Sequence, residues 1–391
     1  IRYDGYRFRS YRSASVGALG SGGDFVRSML AARDGRLWVG TNADGVLVLQ
    51  PTSGAIERIR AAGSGQPGLS NATVRALAED KRGGIWIGTR EGLDYWAPGT
   101  GEIRRHRLRL GDTSSAADEH ITALMVDSRD VLWIGSWGGL SFGDSSSAKF
   151  QRFEDENGPS LIGEQIQSLL ELSNGSIIVG TARSGSFAVD DTRSELRRIP
   201  IGAGSTEQTI RPAVMSLLEP KPGLLWLGVF GGLDVVDTQN MRLLREIRPD
   251  PSVVSSLAHD QVRAMLRDHS GQVWVGGYGG GLQRHDPGNE AISVLRHSPS
   301  RPASLSSPSI SSVVELQDGR IWVGTRGNGV DVWDRTRGVV AGYRPDPQDS
   351  KALRNGVISS LAQTSDGRIY VGSIDGLHRF DEKSQSFAHY G

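Results

Sequence analysis

The sequence contains no cysteine, and it carries no excess of either charge. The absence of cysteine excludes disulfide bonds, thiolate catalysis and cysteine-ligated metal sites, and it fits either a cytoplasmic or a periplasmic location. Lysine and arginine together number 44, as do aspartate and glutamate, so the formal net charge is zero. A neutral chain is not expected to bind nucleic acid or an acidic membrane surface over its whole area. Any binding site should therefore be local.

Long hydrophobic segments are also missing. A membrane-spanning helix needs about 18 consecutive apolar residues or more, whereas the longest apolar run here is near Leu224 to Phe230. The chain starts with IRYDGYRF, which matches the second half of a repeat that recurs at Leu377 to Phe387. A start within a repeat is compatible with a signal peptide or a membrane helix outside this sequence.

What the sequence does contain is one unit repeated eight times. Its clearest copy is Asp318 to Asp334, DGRIWVGTRGNGVDVWD, in which an Asp-Gly turn, an apolar run, a glycine-rich turn and a second run follow one another. This order predicts turn, strand, turn, strand. The aromatic position of the unit recurs every 45 to 48 residues, at Trp38, Trp86, Trp133, Ile178, Trp226, Trp274, Trp322 and Tyr370. Periods of this length are typical of propeller blades and other stacked repeats.

Each repeat divides into four short strands, which predicts an all-β fold, a β-propeller of four-stranded antiparallel blades. In the sixth repeat the strands are expected at Val262 to Arg267, Val273 to Gly276, Leu282 to His285 and near Ile292 to Leu295. The innermost strands should line one channel and start near Val26, Val74, Ile121, Ile166, Val214, Val262, Ile310 and Ile358. Eight blades of about 48 residues are favoured. In the alternative, the half-unit at residues 1–12 completes a blade begun by a later repeat, which leaves seven blades and an overhang.

The repeats form one array, so residues 1–391 are expected to make a single propeller domain. The array begins with the partial repeat at 1–12 and continues with repeats near residues 24–70, 71–118, 119–163, 164–211, 212–259, 260–307, 308–355 and 356–391. The tryptophans at the repeated position are expected to form the core between blades, because they recur in register with β-branched residues. The segment 297–309, which is rich in Ser, Pro and Arg, is predicted to be an exposed loop between blades.

Three copies of the unit resemble the two-component regulator propeller repeat. They are DGRLWVGT at Asp34 to Thr41, GGIWIGTREGL at Gly83 to Leu93, and DGRIWVGTRGNGV at Asp318 to Val330. The resemblance covers nearly the whole chain. The fourth repeat departs most, with Ile178 in place of Trp and Ser186 where Leu is usual.

The resemblance implies the periplasmic, or more generally extracytoplasmic, sensor propeller of a membrane-anchored bacterial signalling protein, such as a hybrid histidine kinase or a diguanylate cyclase. Propellers of this family are typically followed by a β-sandwich module, a transmembrane helix and an output domain, none of which is part of this sequence. The membrane would then be reached only through segments outside this chain, and the full-length protein could form a homodimer.

An enzyme of the glycosidase or lyase type is the main alternative, and a purely structural scaffold is the third. A glycosidase needs two carboxylates that flank one bond. The acids that recur between repeats precede the outer strand, where they are expected to form turns: Asp4, Asp237, Asp286, Asp334 and Asp381. The histidines share no repeat position and no metal-ligand spacing, although His285 and His378 occupy comparable third strands. We therefore predict no catalytic residue, no metal site and no cofactor.

Binding residues are expected where the repeats differ on a constant frame, in the loop after the second strand and at the entry to the first. Ten residues at these positions carry guanidinium, aromatic or amide groups: Arg27, Arg75, Arg90, Trp137, Arg183, Phe230, Arg263, Tyr278, Arg326 and Asn328. Arginine offers paired donors to carboxylate or sulfate, and aromatic faces suit sugar rings, which predicts an anionic small-molecule, oligosaccharide or peptide ligand. The alternative is that each arginine pairs with an acid of a neighbouring blade, such as Glu91 or Asp375.

Overall fold

The computed structural model describes the backbone of residues 2–3 and 8–9 and most of the chain from residue 25 onward. The described ranges after residue 24 are 25–53, 55–63, 67–108, 116–147, 149–155, 158–200, 213–249, 257–278, 281–285, 292–295, 297, 304–334 and 336–390. These residues contain 34 β-strands, named β1 to β34 in chain order. None of them forms a helix long and apolar enough to cross a membrane.

Strands β3 to β34 form eight four-stranded antiparallel sheets, each made from four consecutive strands. The fold is therefore an eight-bladed β-propeller, as the repeat predicts. The blades, numbered along the chain, fall into two compact units. Unit 1 contains residues Ile1–Arg90, Asp94–Arg105 and Ser311–Gly391, and unit 2 contains Glu91–Leu93 and His106–Ile310.

Blades 1, 2, 7 and 8 belong almost entirely to unit 1. Blade 1 consists of β3 (Val26–Ala31), β4 (Leu37–Thr41), β5 (Val46–Gln50) and β6 (Ala55–Ile59). Blade 2 consists of β7 (Val74–Glu79), β8 (Ile85–Thr89), β9 (Gly92–Trp96) and β10 (Ile103–His106). Blade 7 consists of β27 (Ile310–Glu315), β28 (Ile321–Thr325), β29 (Val330–Asp334) and β30 (Gly338–Tyr343). Blade 8 consists of β31 (Ile358–Gln363), β32 (Ile369–Ser373), β33 (Gly376–Asp381) and β34 (Ser386–Tyr390).

Blades 3 to 6 belong to unit 2. Blade 3 consists of β11 (Ile121–Val126), β12 (Val131–Ser136), β13 (Leu140–Asp144) and β14 (Lys149–Arg152). Blade 4 consists of β15 (Ile166–Glu171), β16 (Ile177–Thr181), β17 (Ser186–Val189) and β18 (Leu196–Ile199). Blade 5 consists of β19 (Val214–Lys221), β20 (Leu224–Val229), β21 (Gly232–Asp237) and β22 (Arg242–Ile247). Blade 6 consists of β23 (Val262–Arg267), β24 (Val273–Gly277), β25 (Gly281–His285) and β26 (Ile292–Leu295).

The first strand of every blade starts at the residue that the sequence predicts. The second strands are buried on both faces, and Leu224 is their only residue that is not fully buried. The reason is the close approach of the next blade. A Cβ added to Gly40 in blade 1 would lie 2.8 Å from the Val74 side chain in blade 2, and one added to Gly135 would lie 2.7 Å from Ile166. Glycine at the end of the second strand thus sets the spacing of the blades.

The six tryptophans at the repeated position lie in the core between blades, as predicted. All six are at most 3% exposed, and so are Ile178 and Tyr370, which replace tryptophan in blades 4 and 8. In blade 3 the indole N–H of Trp133 donates to the buried Asp127 carboxylate at 3.0 Å. In blade 6 Trp274 donates to Asp268 at 2.6 Å. In blades 3 and 6, burial and a hydrogen bond to a buried carboxylate therefore hold the ring in place together.

The segments that lead from one blade to the next are not simply exposed loops, so this prediction is wrong in one respect. Leu305 lies in the segment 297–309 and is 1% exposed. Its backbone forms a parallel bridge with His297, and Leu353 forms the same kind of bridge with Pro345. The leucine is buried because the chain folds back on itself and covers the edge of the blade core.

The half-unit at the start of the chain does not complete a blade. Its strands, β1 (Arg2–Tyr3) and β2 (Phe8–Arg9), pair only with each other in a separate two-stranded sheet. Blades 1 and 8 each have four strands of their own, and they pack closely, since a Cβ added to Gly372 would lie 2.7 Å from the Val26 side chain. The seven-bladed alternative is therefore wrong.

Candidate functional site

One edge of each blade brings the start of its first strand next to the end of its second. In blade 1 Val26 lies opposite Thr41, and in blade 2 Val74 lies opposite Thr89. We call this edge the rim. It comprises the residues directly before and after the first residue of each first strand, with the loop that follows each second strand. All ten predicted binding residues lie on the rim of their own blade.

Backbone hydrogen bonds fix the first loop residue of the rim. The Asn42 N–H donates to the Phe25 carbonyl oxygen at 2.8 Å, and the Arg90 N–H donates to the Thr73 carbonyl oxygen at 3.0 Å. The Thr73 hydroxyl donates to the Asn42 carbonyl oxygen at 2.6 Å, which ties the loop of blade 1 to the strand entry of blade 2. In these blades the backbone that carries the variable side chains is thus fixed by hydrogen bonds within its own blade and between adjacent blades.

Blades 1 and 2 bring Arg27, Arg75 and Arg90 together on the rim of unit 1. Arg27 Nε donates to Asn42 Oδ1 at 2.7 Å, and its guanidinium carbon lies 5.0 Å from the ring centre of Phe25. Arg75 is half-buried, and its Nε is shielded from solvent without a hydrogen-bond partner among the described residues. Arg90 is exposed. None of these three guanidinium groups forms an ion pair with a described carboxylate.

The three positive charges act on one another. Burial lowers the pKa of Arg75, and the charges of Arg27 and Arg90 lower it further. Burial also lowers the pKa of Arg27. Arginine remains protonated in proteins, so the lowered pKa of Arg75 reflects burial together with a repulsion that the fold tolerates, rather than a loss of charge. An anion among these groups would relieve the repulsion and would receive charge-assisted hydrogen bonds.

Two further predicted residues of unit 1 lie on blade 7. Arg326 follows β28 directly and forms an antiparallel bridge with Val357, at the strand entry of blade 8. The Asn328 N–H donates to the Thr325 hydroxyl at 3.1 Å. Both side chains are exposed. Blades 8 and 1 come between this loop and blade 2 in the order of the array, so these residues are not part of the arginine cluster.

The rim of unit 2 is aromatic. In blade 3 the Trp137 ring stacks on His120 with centroids 4.0 Å apart and planes 11° apart, and Trp137 is 44% exposed. The Trp137 N–H donates to the His120 carbonyl oxygen at 3.1 Å. A tryptophan that is supported on one face and open on the other offers a flat surface to a ligand ring.

Phe230 and Tyr278 occupy the same rim position in blades 5 and 6, and both are about 40% exposed. Gln261 lies between them, because it forms a bridge with Phe230 and accepts the Tyr278 N–H at 3.1 Å. Arg263 Nη2 donates to Gln261 Oε1 at 3.2 Å. The structure therefore joins three predicted residues around a glutamine that the sequence argument missed. Its position directly before Val262 at the strand entry was the available signal.

Arg183 on blade 4 is engaged by its neighbours. Its Nη2 donates to the Gly163 carbonyl oxygen at 2.7 Å, and its Nε lies 3.9 Å from Glu164 Oε2. Arg183 therefore lies near an acid, as in the alternative to ligand binding, but that acid belongs to its own repeat rather than to a neighbouring blade. Asp375, one of the two acids named as possible partners, accepts a hydrogen bond from Asn355 at 3.1 Å.

A family model confirms the resemblance of the repeats. The model described as "Two component regulator propeller" matches residues 20–43, 68–91, 256–279, 304–327 and 352–375. Five of the eight repeats therefore match this family model. In these stretches the match spans the first and second strands of blades 1, 2, 6, 7 and 8 and extends into the rim loop that follows.

Solved structures share the fold of this propeller. The Dos1 propeller has a TM-score of 0.67 and 12% identity, with 95% of this chain and 94% of that chain covered. The extracellular domain of BT4673 from B. thetaiotaomicron, described as a one-component system, has a TM-score of 0.55 and 16% identity. The match covers 95% of this chain but only 53% of that domain, so the chain spans about half of its length. Streptogramin B lyase has a TM-score of 0.52 and 12% identity, with 78% and 91% covered. No curated protein matches the chain.

The buried carboxylates of this propeller are committed to structural contacts. Among the described residues, five buried aspartates pair with arginines: Asp80 with Arg82, Asp118 with Arg152, Asp127 with Arg193, Asp234 with Arg248, and Asp331 with Arg344. The predicted turn-forming acids that lie in the described residues accept backbone N–H groups of the turns that follow them: Asp237, Asp334 and Asp381. Asp4 and Asp286 lie outside the described residues. Within the described part of the chain, no three or more His, Asp or Glu side chains are placed to hold a metal ion.

A separate cleft of about 530 Å³ lies in unit 2, beside the turns at the edge of blade 3 opposite to the rim. Its lining includes Arg129, Lys149 and Arg193. Arg193 of blade 4 reaches across to Asp127, with 3.2 Å between Nη2 and Oδ2, and thereby links the two blades. The cleft is a competing place for a ligand, and Lys149 offers a variant that tests it.

Proposed function

We propose that this propeller is the ligand-sensing domain of a membrane-anchored bacterial signalling protein. It would lie outside the cytoplasm, bind a small or oligomeric anionic ligand, and pass the signal to an output domain elsewhere in the same protein. The family of its repeats supports this role. The shared fold with the extracellular domain of BT4673 is consistent with it.

The rim is the feature that carries the proposal. Its backbone is fixed by hydrogen bonds within and between blades, for example from Thr73 to Asn42. Its side chains, in contrast, differ from blade to blade and combine exposed aromatic rings with the guanidinium groups of Arg27, Arg75 and Arg90, which form no ion pair with a described acid. A constant frame with variable, chemically rich positions is what a recognition surface requires.

A binding role is favoured over hydrolysis because most of the described buried carboxylates are paired with arginines. A glycosidase needs two carboxylates that face a common substrate bond. The buried carboxylates at Asp118, Asp234 and Asp331 each face an arginine of the same structural unit instead. Streptogramin B lyase shares the fold alone, and this likeness does not extend to its activity.

Titration of the purified chain with uronate oligosaccharides, neutral oligosaccharides and acidic peptides tests this function. We expect one of these classes to bind. If the ligand binds to unit 1, the double variant Arg90→Ala, Arg326→Ala should weaken that binding, because these residues are exposed on the rim of that unit. If it binds to unit 2, the Trp137→Ala and Tyr278→Ala variants should weaken it for the same reason. The matched control is Leu244→Ala, since Leu244 is an exposed apolar residue on the outer strand β22.

Two results would contradict the proposal. One is the absence of binding for all three classes. The other is binding that every rim variant retains but that Lys149→Ala removes, because the ligand would then occupy the cleft opposite to the rim. Fractionation of cells that express the native protein tests the location separately, and we expect the propeller outside the cytoplasm.

A further inference from the structure

We propose that Arg27, Arg75 and Arg90 form a site for a ligand that presents at least two carboxylate or sulfate groups. This inference deepens the ligand-sensing function proposed above and rests on it. It names the chemistry that blades 1 and 2 recognise.

Arg27 is held in a fixed orientation before any ligand arrives. Its Nε is bonded to Asn42 Oδ1 at 2.7 Å, and its guanidinium lies over the Phe25 ring at 5.0 Å. Because Nε is already used, the two terminal nitrogens remain as donors for an incoming group. A planar guanidinium that is fixed in this way suits bidentate contact with a carboxylate or sulfate.

Arg75 is the central member of the cluster. It follows Val74 at the start of β7, and the charges of Arg27 and Arg90 both act on it. Its Nε is shielded from solvent and lacks a hydrogen-bond acceptor among the described residues. Buried polar groups are nearly always paired in native proteins, so this donor calls for an acceptor that the blades do not supply.

Arg90 adds the third charge from the loop after β8. Its backbone N–H is bound to the Thr73 carbonyl oxygen at 3.0 Å, while its side chain is exposed and forms no ion pair with a described acid. The position of the loop is therefore fixed, and the guanidinium remains available. The Arg90 side chain can therefore contact a ligand that Arg75 also binds.

The number of charges sets the class of ligand. One monoanion would leave two of the three positive charges without compensation, whereas two anionic groups bring the cluster close to neutrality. A neutral sugar could accept hydrogen bonds from the guanidinium groups, but it would leave their repulsion in place. Acidic oligosaccharides and small polycarboxylates share the required chemistry, and the choice between them is made by experiment.

Calorimetric titration with citrate, trigalacturonate, inorganic sulfate and a neutral trisaccharide tests the site. We expect citrate or trigalacturonate to bind, and binding to weaken at high ionic strength, because the attraction is between charges. Arg75→Gln should weaken binding about 10- to 100-fold, as expected for the loss of charge-assisted hydrogen bonds. Arg75→Lys should fall between the parent and Arg75→Gln. The control Arg337→Gln changes an exposed arginine in a turn of blade 7 and should bind like the parent.

Thermal unfolding supplies a second measurement that does not depend on tight binding. Citrate should raise the melting temperature of the parent more than that of Arg75→Gln at the same concentration. Without ligand, Arg75→Gln should melt no lower than the parent, because the substitution removes the repulsion between like charges. A variant that simply failed to fold would be recognised here by a lower melting temperature.

Three outcomes would contradict the proposed site. The first is equal affinity of Arg75→Gln and the parent for these anions. The second is that no anion binds to the parent or changes its melting temperature, and the third is that the neutral trisaccharide binds most tightly. Failure of the sensing function is distinguishable. If the anions bind with the predicted pattern but do not change the output of the native signalling protein, the anion site is supported and the sensing role is contradicted. If a neutral ligand binds and only the aromatic variants lose it, sensing stands and the anion site falls.

Discussion

The aromatic residues of this propeller divide into two groups that the sequence alone could separate. Trp274 is fully buried between blades, whereas Trp137 is 44% exposed on the rim. The division was predictable because buried rings recur at one position of the repeat, and Trp137 does not. The partners of the arginines were not predictable. Arg90 and Arg183 both follow the Gly-Thr that ends a second strand, but only the fold places Glu164 beside Arg183.

The two tryptophans should therefore respond differently to truncation. Trp274→Ala should destabilise the fold by about 3–5 kcal/mol, because it removes a large buried ring and leaves a cavity. Trp137→Ala should have a much smaller effect on stability, since its ring packs only on His120. Denaturant unfolding of the two variants beside the parent measures both changes. The opposite order of stabilities would show that the assignment of these rings to core and rim is wrong.

At the scale of elements, the strands were predicted well and the links between them less so. First strands could be located because turns with glycine bracket each apolar run, and all eight start where predicted. The links were taken for exposed loops because one leucine among Ser, Pro and Arg has no periodic partner nearby. Yet Leu69, Leu257, Leu305 and Leu353 each lie five residues before a first strand and are at most 2% exposed. The burial of these leucines could have been predicted by aligning the repeats, because the leucine recurs at one position, but not from any single repeat.

The third and fourth strands of blade 8 contain a pair of histidines that makes stability depend on pH. His378 lies opposite His389, with the two Nδ1 atoms 2.6 Å apart, and His378 Nε2 is 2.9 Å from the Ser373 hydroxyl. One ring must donate and the other accept. Burial, and then the charges of His389 and Arg354, lower the pKa of His378 from 6.5 to about 3. Burial also lowers the pKa of His389.

A lowered histidine pKa means that the unfolded chain takes up the proton first as the pH falls. The stability that the neutral pair contributes is complete above about pH 6.5 and is lost progressively toward pH 3. For His378 alone we expect a loss of about 2 kcal/mol between neutral pH and pH 5. Urea unfolding at both pH values, for the parent and for His378→Gln, measures this loss. The variant should show a smaller loss than the parent, and the exposed His269→Gln should show the same loss as the parent. Equal losses in all three would exclude His378 as the source.

At the scale of the whole molecule, the residues that recur in every repeat determine the fold. The residues that differ between repeats are the candidates for function. Each blade reuses the same glycines and buried aromatic position, so these residues carry no information about a ligand. The rim positions are released from this constraint, and there the chain places arginines in blades 1 and 2 and aromatic rings in blades 3, 5 and 6. We therefore propose that the propeller recognises its ligand on the rim.

Hydrogen–deuterium exchange of the purified chain, with and without trigalacturonate, tests this claim most directly. We predict slower exchange on ligand binding in the rim of blades 1 and 2, at residues 25–28, 41–45, 73–75 and 89–92. The turns at the opposite edge of the same blades, at residues 32–36 and 80–84, should exchange at unchanged rates. Protection confined to those turns or to the cleft beside Lys149, or no protection at all, would contradict the account.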